Sequence, residues 1–136
     1  MALLAGCAKK KDGLYTTWYE NGQKKEETTY KEGEKHGLTS WYDNGQKKWE
    51  STFKDGKQHG LSTYWHENGQ KRSEITYKDG KRDGLLSATV WKPNGEKCPD
   101  TNVVDGTGIF CGYHNNGRKS HESTWQDGKK ISVKGW

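Results

Sequence analysis

Apolar residues in this chain stand singly or in short alternations, and no stretch keeps them at i, i+3, i+4 and i+7 for three turns. Leu14-Tyr15-Thr16-Thr17-Trp18 and Leu61-Ser62-Thr63-Tyr64-Trp65 are representative: β-branched and aromatic side chains in short runs, flanked by glycine. Most of those glycines sit in Asn-Gly, Asp-Gly or His-Gly pairs, which mark tight turns. The pattern predicts an all-β chain of short antiparallel strands.

The turns recur. Asn-Gly places its glycine at Gly22, Gly45, Gly69, Gly95 and Gly117, and a second turn glycine follows 11 residues later at Gly33, Gly56, Gly80, Gly106 and Gly128. A period of about 22–26 residues suits one hairpin plus its connection. Other columns keep their chemical type. Four residues before the Asn-Gly glycine stand Trp18, Trp41, Trp65, Trp91 and Tyr113. Six before it stand Thr16, Thr39, Thr63, Thr89 and Cys111. Two after it stand Lys24, Lys47, Lys71, Lys97 and Lys119. Five after it stand Glu27, Glu50, Glu74, Asp100 and Glu122, and eight after it Tyr30, Phe53, Tyr77, Val103 and Trp125.

The expected architecture is an elongated antiparallel meander of five tandem hairpins, residues 13–36, 37–59, 60–83, 84–107 and 108–136, the last ending in a closing strand. Asn-Gly supports positive φ at both central residues and so predicts two-residue type I′ turns. Alternation then puts the Trp, Thr and acid columns on one face, with Thr opposite acid. The Lys and second aromatic columns take the other face, unless a bulge at the Asp-Gly turns shifts them. Each column tryptophan is expected to bury against the next. Repeat four is the irregular one, because Pro99 cannot donate to a ladder.

Composition supports a thin, repeated core. Only 28% of the residues are hydrophobic, well under the usual near-half, but seven are tryptophan and seven tyrosine. Net charge is only +5, so self-repulsion is weak.

The start, Leu4-Ala5-Gly6-Cys7, has the order of a bacterial lipobox, which makes Cys7 a lipidation candidate and residues 1–12 a truncated signal and polar tether. A lipid on Cys7 would anchor the chain to a membrane at the cell envelope, at the outer membrane or the cell surface; without it the chain is expected to be cytoplasmic. In an oxidising envelope Cys98 and Cys111, on strands expected to be neighbours, form a disulfide or remain two thiols; the sequence leaves both open.

The run Gly-x₃₋₅-Trp-Tyr-x-Asn-Gly-Gln-Lys-Lys-x-Glu-x₂-Tyr-Lys-Asp-Gly-Lys-x-His-Gly resembles the MORN repeat in its bacterial variant form, over residues 13–128 and most clearly from Gly37 to Gly84. The resemblance implies consecutive hairpins in a long twisted sheet. It also implies a protein-binding role: a scaffold, a YwqK-type antitoxin masking a toxin, or a binder of acidic lipid head groups. It carries no catalytic residue.

No nucleophile–base motif, phosphate loop or dinucleotide fingerprint is present, so no enzyme activity and no cofactor are expected. No metal site is expected either, because repeat spacing spreads the histidines apart. Nucleic acid is not an expected partner, since acids alternate with bases throughout. The candidate binding surface is the lysine column. Alternate strands lie about 9–10 Å apart, so Lys24, Lys47, Lys71, Lys97 and Lys119 would form a basic stripe, flanked by Tyr19, Tyr42 and His66. The leading expectation is a monomeric, envelope-tethered scaffold that binds another protein through one sheet face.

Overall fold

The structure, a computed structural model, describes residues 10–77 and 84–136. Cys7, most of the tether and the Asp79-Gly80 turn lie outside the described residues. Ten strands follow one another: β1 (Gly13–Trp18), β2 (Lys24–Lys31), β3 (Glu34–Asp43), β4 (Gln46–Lys54), β5 (Lys57–Trp65), β6 (Lys71–Tyr77), β7 (Leu85–Val90), β8 (Gly108–Tyr113), β9 (Lys119–Gln126) and β10 (Lys129–Gly135). The all-β hairpin meander expected from the periodicity is present. It is not one continuous sheet: β1 to β7 pair in chain order, and β8, β9 and β10 form a second, three-stranded sheet with β9 central.

The break falls in repeat four. After the Trp91–Lys97 bridge, the segment that would have been its second strand runs irregularly through Cys98 and Pro99. It is held at its ends, Cys98 N–H donating to Val90 C=O at 2.7 Å and Asn102 N–H to Ile109 C=O at 2.9 Å. Pro99 has no N–H to give a ladder, which agrees with its expected effect.

The turns differ from the type I′ expectation. Of the five Asn-Gly pairs, only Asn44-Gly45 has positive φ at both residues, 50° and 75°. The other four close three-residue loops. In the first, Gly22 N–H donates to Tyr19 C=O at 3.0 Å and Tyr19 N–H to Gln23 C=O at 2.8 Å, with only Gly22 left-handed. Asparagine is used there for its side chain: Oδ1 of Asn21, Asn68, Asn94 and Asn116 accepts the N–H two residues on, at 2.9–3.0 Å. The two-residue turns with both φ positive lie instead at Glu32-Gly33, Asp55-Gly56, Asp105-Gly106 and Asp127-Gly128.

Register aligns side chains in rows across the seven strands. The central row is Tyr15, Thr28, Thr39, Ser51, Ser62, Ile75 and Ala88. Thr28, Thr39, Ser51 and Ser62 are buried, and the Ser51 and Ser62 hydroxyls lie 2.6 Å apart. The middle of the sheet is therefore a ladder of small hydroxyls with aromatic rings beside it. Larger apolar burial comes at the junction of the two sheets. Ile75, Leu85 and Val103 form one cluster; Val90, Cys98, Cys111 and Tyr113 form another.

Candidate functional site

Residues paired across strands share a face, and neighbouring rows alternate. The row beside the central one reads Thr16, Glu27, Ser40, Glu50, Thr63, Glu74 and Thr89. Hydroxyl therefore opposes acid, as expected, with Ser40 standing in for Thr39; Ser40 donates to Glu50 Oε2 at 2.9 Å.

The lysine column lies on the face of these acids, not the opposite one. Lys24 pairs with Glu27, Lys47 with Glu50, Lys71 with Glu74 at 2.6 Å and Lys119 with Glu122 at 3.1 Å. Positions three apart in a regular strand face opposite ways. Here a bulge leaves Lys25, Lys48, Arg72 and Ser120 unpaired and turns the preceding lysine back. Shifts beside the Glu32-Gly33 and Asp55-Gly56 hairpins insert two residues into β3 and β5 and keep the faces unchanged, whereas single extra residues, Leu86 in β7 and Ile131 in β10, reverse them there.

The column tryptophans do not cover one another, and Trp18 is 60% exposed. Successive columns stand on alternate strands, about 9–10 Å apart, beyond the roughly 4.5–7 Å of ring contact. Lysine side chains fill the gaps, from the strand between at Lys47 and Lys71. Lys47 lies over Trp65, Lys71 over Trp91, Lys92 over Tyr113 and Lys119 over Trp136, with nitrogen-to-centroid distances of 5.3–5.9 Å. Trp41 breaks ranks. Gly37 precedes it by four residues, whereas Gly13 and Gly60 precede Trp18 and Trp65 by five. The odd residue sends Trp41 to the other face, and Tyr42 takes its place under Lys24.

The expected basic stripe is thus internally committed. Hydrogen bonds to Glu27 and Glu50 raise the pKa of Lys24 and Lys47, and bonds to Asp100 and Glu122 raise that of Lys119. Lys97 keeps the column's backbone place, pairing with Trp91 across the repeat-four turn as Lys24 pairs with Trp18 and Lys71 with Trp65, and it is exposed. His66 is not a surface contact residue: it is 7% exposed and its Nε2 sits 2.9 Å from Trp91 C=O, tying repeat three to repeat four. Tyr19 is half-buried and donates to Tyr42 C=O at 3.0 Å.

The other face collects the aromatic rings. Trp41, Trp49 and Tyr64 are consecutive members of one row. Trp49 packs edge-on to Phe53 at 6.2 Å and tilted to Tyr64 at 6.4 Å; Tyr15 and Tyr30 meet edge-on at 5.2 Å. Tyr19, Trp41, Trp49 and Tyr64 line a cleft of about 430 Å³, with Asp43 and Lys48 at its rim. A second depression of about 400 Å³, lined by residues including Tyr64, Tyr77, Phe110 and Trp125, continues the surface towards the second sheet. Trp49 belongs to no column and was missed in the sequence; the one-residue shortening before Trp41 was the available signal.

Cys98 and Cys111 are drawn together in the junction, both as buried thiols. Their sulfurs and a carboxylate oxygen of Asp100 all lie within 4.8 Å of one another.

Paired hairpins presenting two chemically distinct faces define a β-hairpin repeat scaffold. The family model described as the MORN repeat variant matches residues 11–32 and 58–79, which supports a MORN repeat protein. Among solved structures, a crystal structure of TarM and one of an S. aureus TarM mutant in complex with Fondaparinux, alpha-GlcNAc-glycerol and UDP align over 92% of this chain. They do so at 11% identity, with TM-scores of 0.45 and 0.41. The chain spans about 20% of the length of those proteins, and a likeness this weak defines neither its fold nor its function. No curated protein matches it.

Proposed function

We propose that the chain is a non-enzymatic scaffold that binds another protein through the aromatic face of its seven-stranded sheet. The observation that carries this reading is the cleft of Tyr19, Trp41, Trp49 and Tyr64 with a charged rim. Trp and Tyr around a recess edged by charged groups are the composition of binding hot spots. The lysine face is the weaker candidate, because its ammonium groups already have carboxylates and rings as partners.

Capture of partners from the source cell separates the faces. Trp49→Ala and Tyr64→Ala should lose a partner that Lys47→Glu and Lys71→Glu retain. The opposite result overturns the assignment. A captured toxin would identify the YwqK-type alternative. Binding to anionic vesicles that fades with salt and requires the lysines would favour the lipid alternative. Envelope attachment is part of the proposal and rests on Leu4-Ala5-Gly6-Cys7. Fatty-acid labelling that Cys7→Ser leaves unchanged would refute it.

A further inference from the structure

We propose that Cys98 and Cys111 form a disulfide that staples the two sheets together. β7 and β8 belong to different sheets, so the usual strand ladder does not join them. Cys98 is fixed to the end of β7 through its N–H bond to Val90 C=O, and Cys111 is an interior residue of β8. The two sulfurs lie within 4.8 Å, in a cluster with Val90 and Tyr113. A bond between them would cross the junction where β7 and β8 share no strand ladder.

The surroundings favour oxidation over metal binding. Asp100, the third donor, already accepts from Lys119 Nζ at 3.0 Å, and the same ammonium reaches Glu122 at 3.1 Å. A cation thus stands beside the carboxylates that a metal would need. The two thiols are unequal. Burial pushes Cys98 up, but hydroxyl bonds from Thr101 at 3.4 Å and Tyr113 at 2.9 Å, with backbone N–H groups, outweigh it and leave its pKa below the usual thiol value. Burial and the neighbouring Cys98 push Cys111 up to about 11. Cys98 is therefore the attacking sulfur.

The oxidant is a small-molecule disulfide. Cys98 thiolate attacks one of its sulfurs and expels one thiolate, leaving a mixed disulfide. Cys111, once deprotonated, attacks the Cys98 sulfur and expels the second. Two protein thiols are oxidised and one disulfide is reduced, and the two protons that the protein loses are taken up, by way of solvent, by the two expelled thiolates. Cys98 is 3% exposed and Cys111 0%, so the exchange takes place while the chain folds or the cluster opens, and the finished bond is shielded.

The test uses the 136-residue chain carrying Cys7→Ser, which removes the third thiol. The chain is refolded with oxidised glutathione, denatured, alkylated and weighed. The expected product has lost two hydrogens, takes up no alkylating label, and yields a reducible peptide pair containing Cys98 and Cys111. Reduction should lower its thermal midpoint by roughly 5–15 °C, the range for closing a loop of this order. Two labelled thiols, or stable glutathione adducts on both, would overturn the proposal. So would zinc added alone protecting both thiols from oxidation in a chelator-reversible way.

Discussion

Gly106→Ala probes the junction between the sheets, and Gly117→Ala calibrates it. Both glycines have left-handed backbones, φ 80° and 84°. Alanine pays roughly 1–2 kcal/mol for that conformation at either site. The surroundings differ. A Cβ at Gly117 meets nothing within 4 Å. A Cβ at Gly106 would lie 2.5 Å from Gly128 N and 3.0 Å from Leu85 O, both backbone atoms that no side-chain rotation can move away. Gly106 N–H donates to Leu86 C=O at 2.8 Å, and Gly106 C=O accepts from Gly128 N–H at 2.9 Å. Relieving the clash must loosen these bonds, at about 0.5–1.5 kcal/mol each, or more where a buried group loses its partner. Gly106→Ala is therefore expected to cost about 2–5 kcal/mol, against about 1–2 for Gly117→Ala. Urea unfolding followed by tryptophan fluorescence measures both, provided the slope stays constant between variants. Equal midpoint shifts would mean that the stacked turns at Gly106 and Gly128 do not hold the sheets together.

Two further perturbations address the sheet itself. Ser51→Ala and Ser62→Ala should each cost about 1–3 kcal/mol by stranding a buried hydroxyl, while the double variant costs less than their sum; strict additivity in a double-mutant cycle would dissolve the hydroxyl ladder as a unit. Burial pushes the Glu26 carboxyl up, but hydrogen bonds from Lys35 and Thr28 outweigh it and hold the pKa below the usual value. Its stabilisation is present above the unfolded carboxyl pKa of about 4.3 and is lost as pH falls through the folded value. Glu26→Gln should accordingly be less stable than the parent at neutral pH and converge with it in acid. A stability gap unchanged from pH 7 to pH 3 would contradict that sign.

The hairpin count, the turn positions and the pairing of hydroxyl with acid were legible in the chain, because turn chemistry and a period near 23 residues are short-range properties. The irregularity of repeat four was legible too, since Pro99 lacks a donor whatever its neighbours are. The faces were not. Whether Lys47 looks towards Glu50 or away from it depends on one extra residue, Lys48, bulging out of β4, and Asn44-Gly45 adopts a different loop from the other four Asn-Gly pairs. A period-two pattern inverts at every such insertion, so strand alternation carried the lysine column and Trp41 to the wrong sides, while the acid, Thr and second aromatic columns lie largely as alternation placed them. Neighbouring strands already placed Cys98 and Cys111 as a possible pair, but the way they meet, with Asp100 beside them, was decided by tertiary structure. It arises where β7 ends and an unpaired segment folds back on β8, and that contact is set by how two sheets meet rather than by any repeat within one.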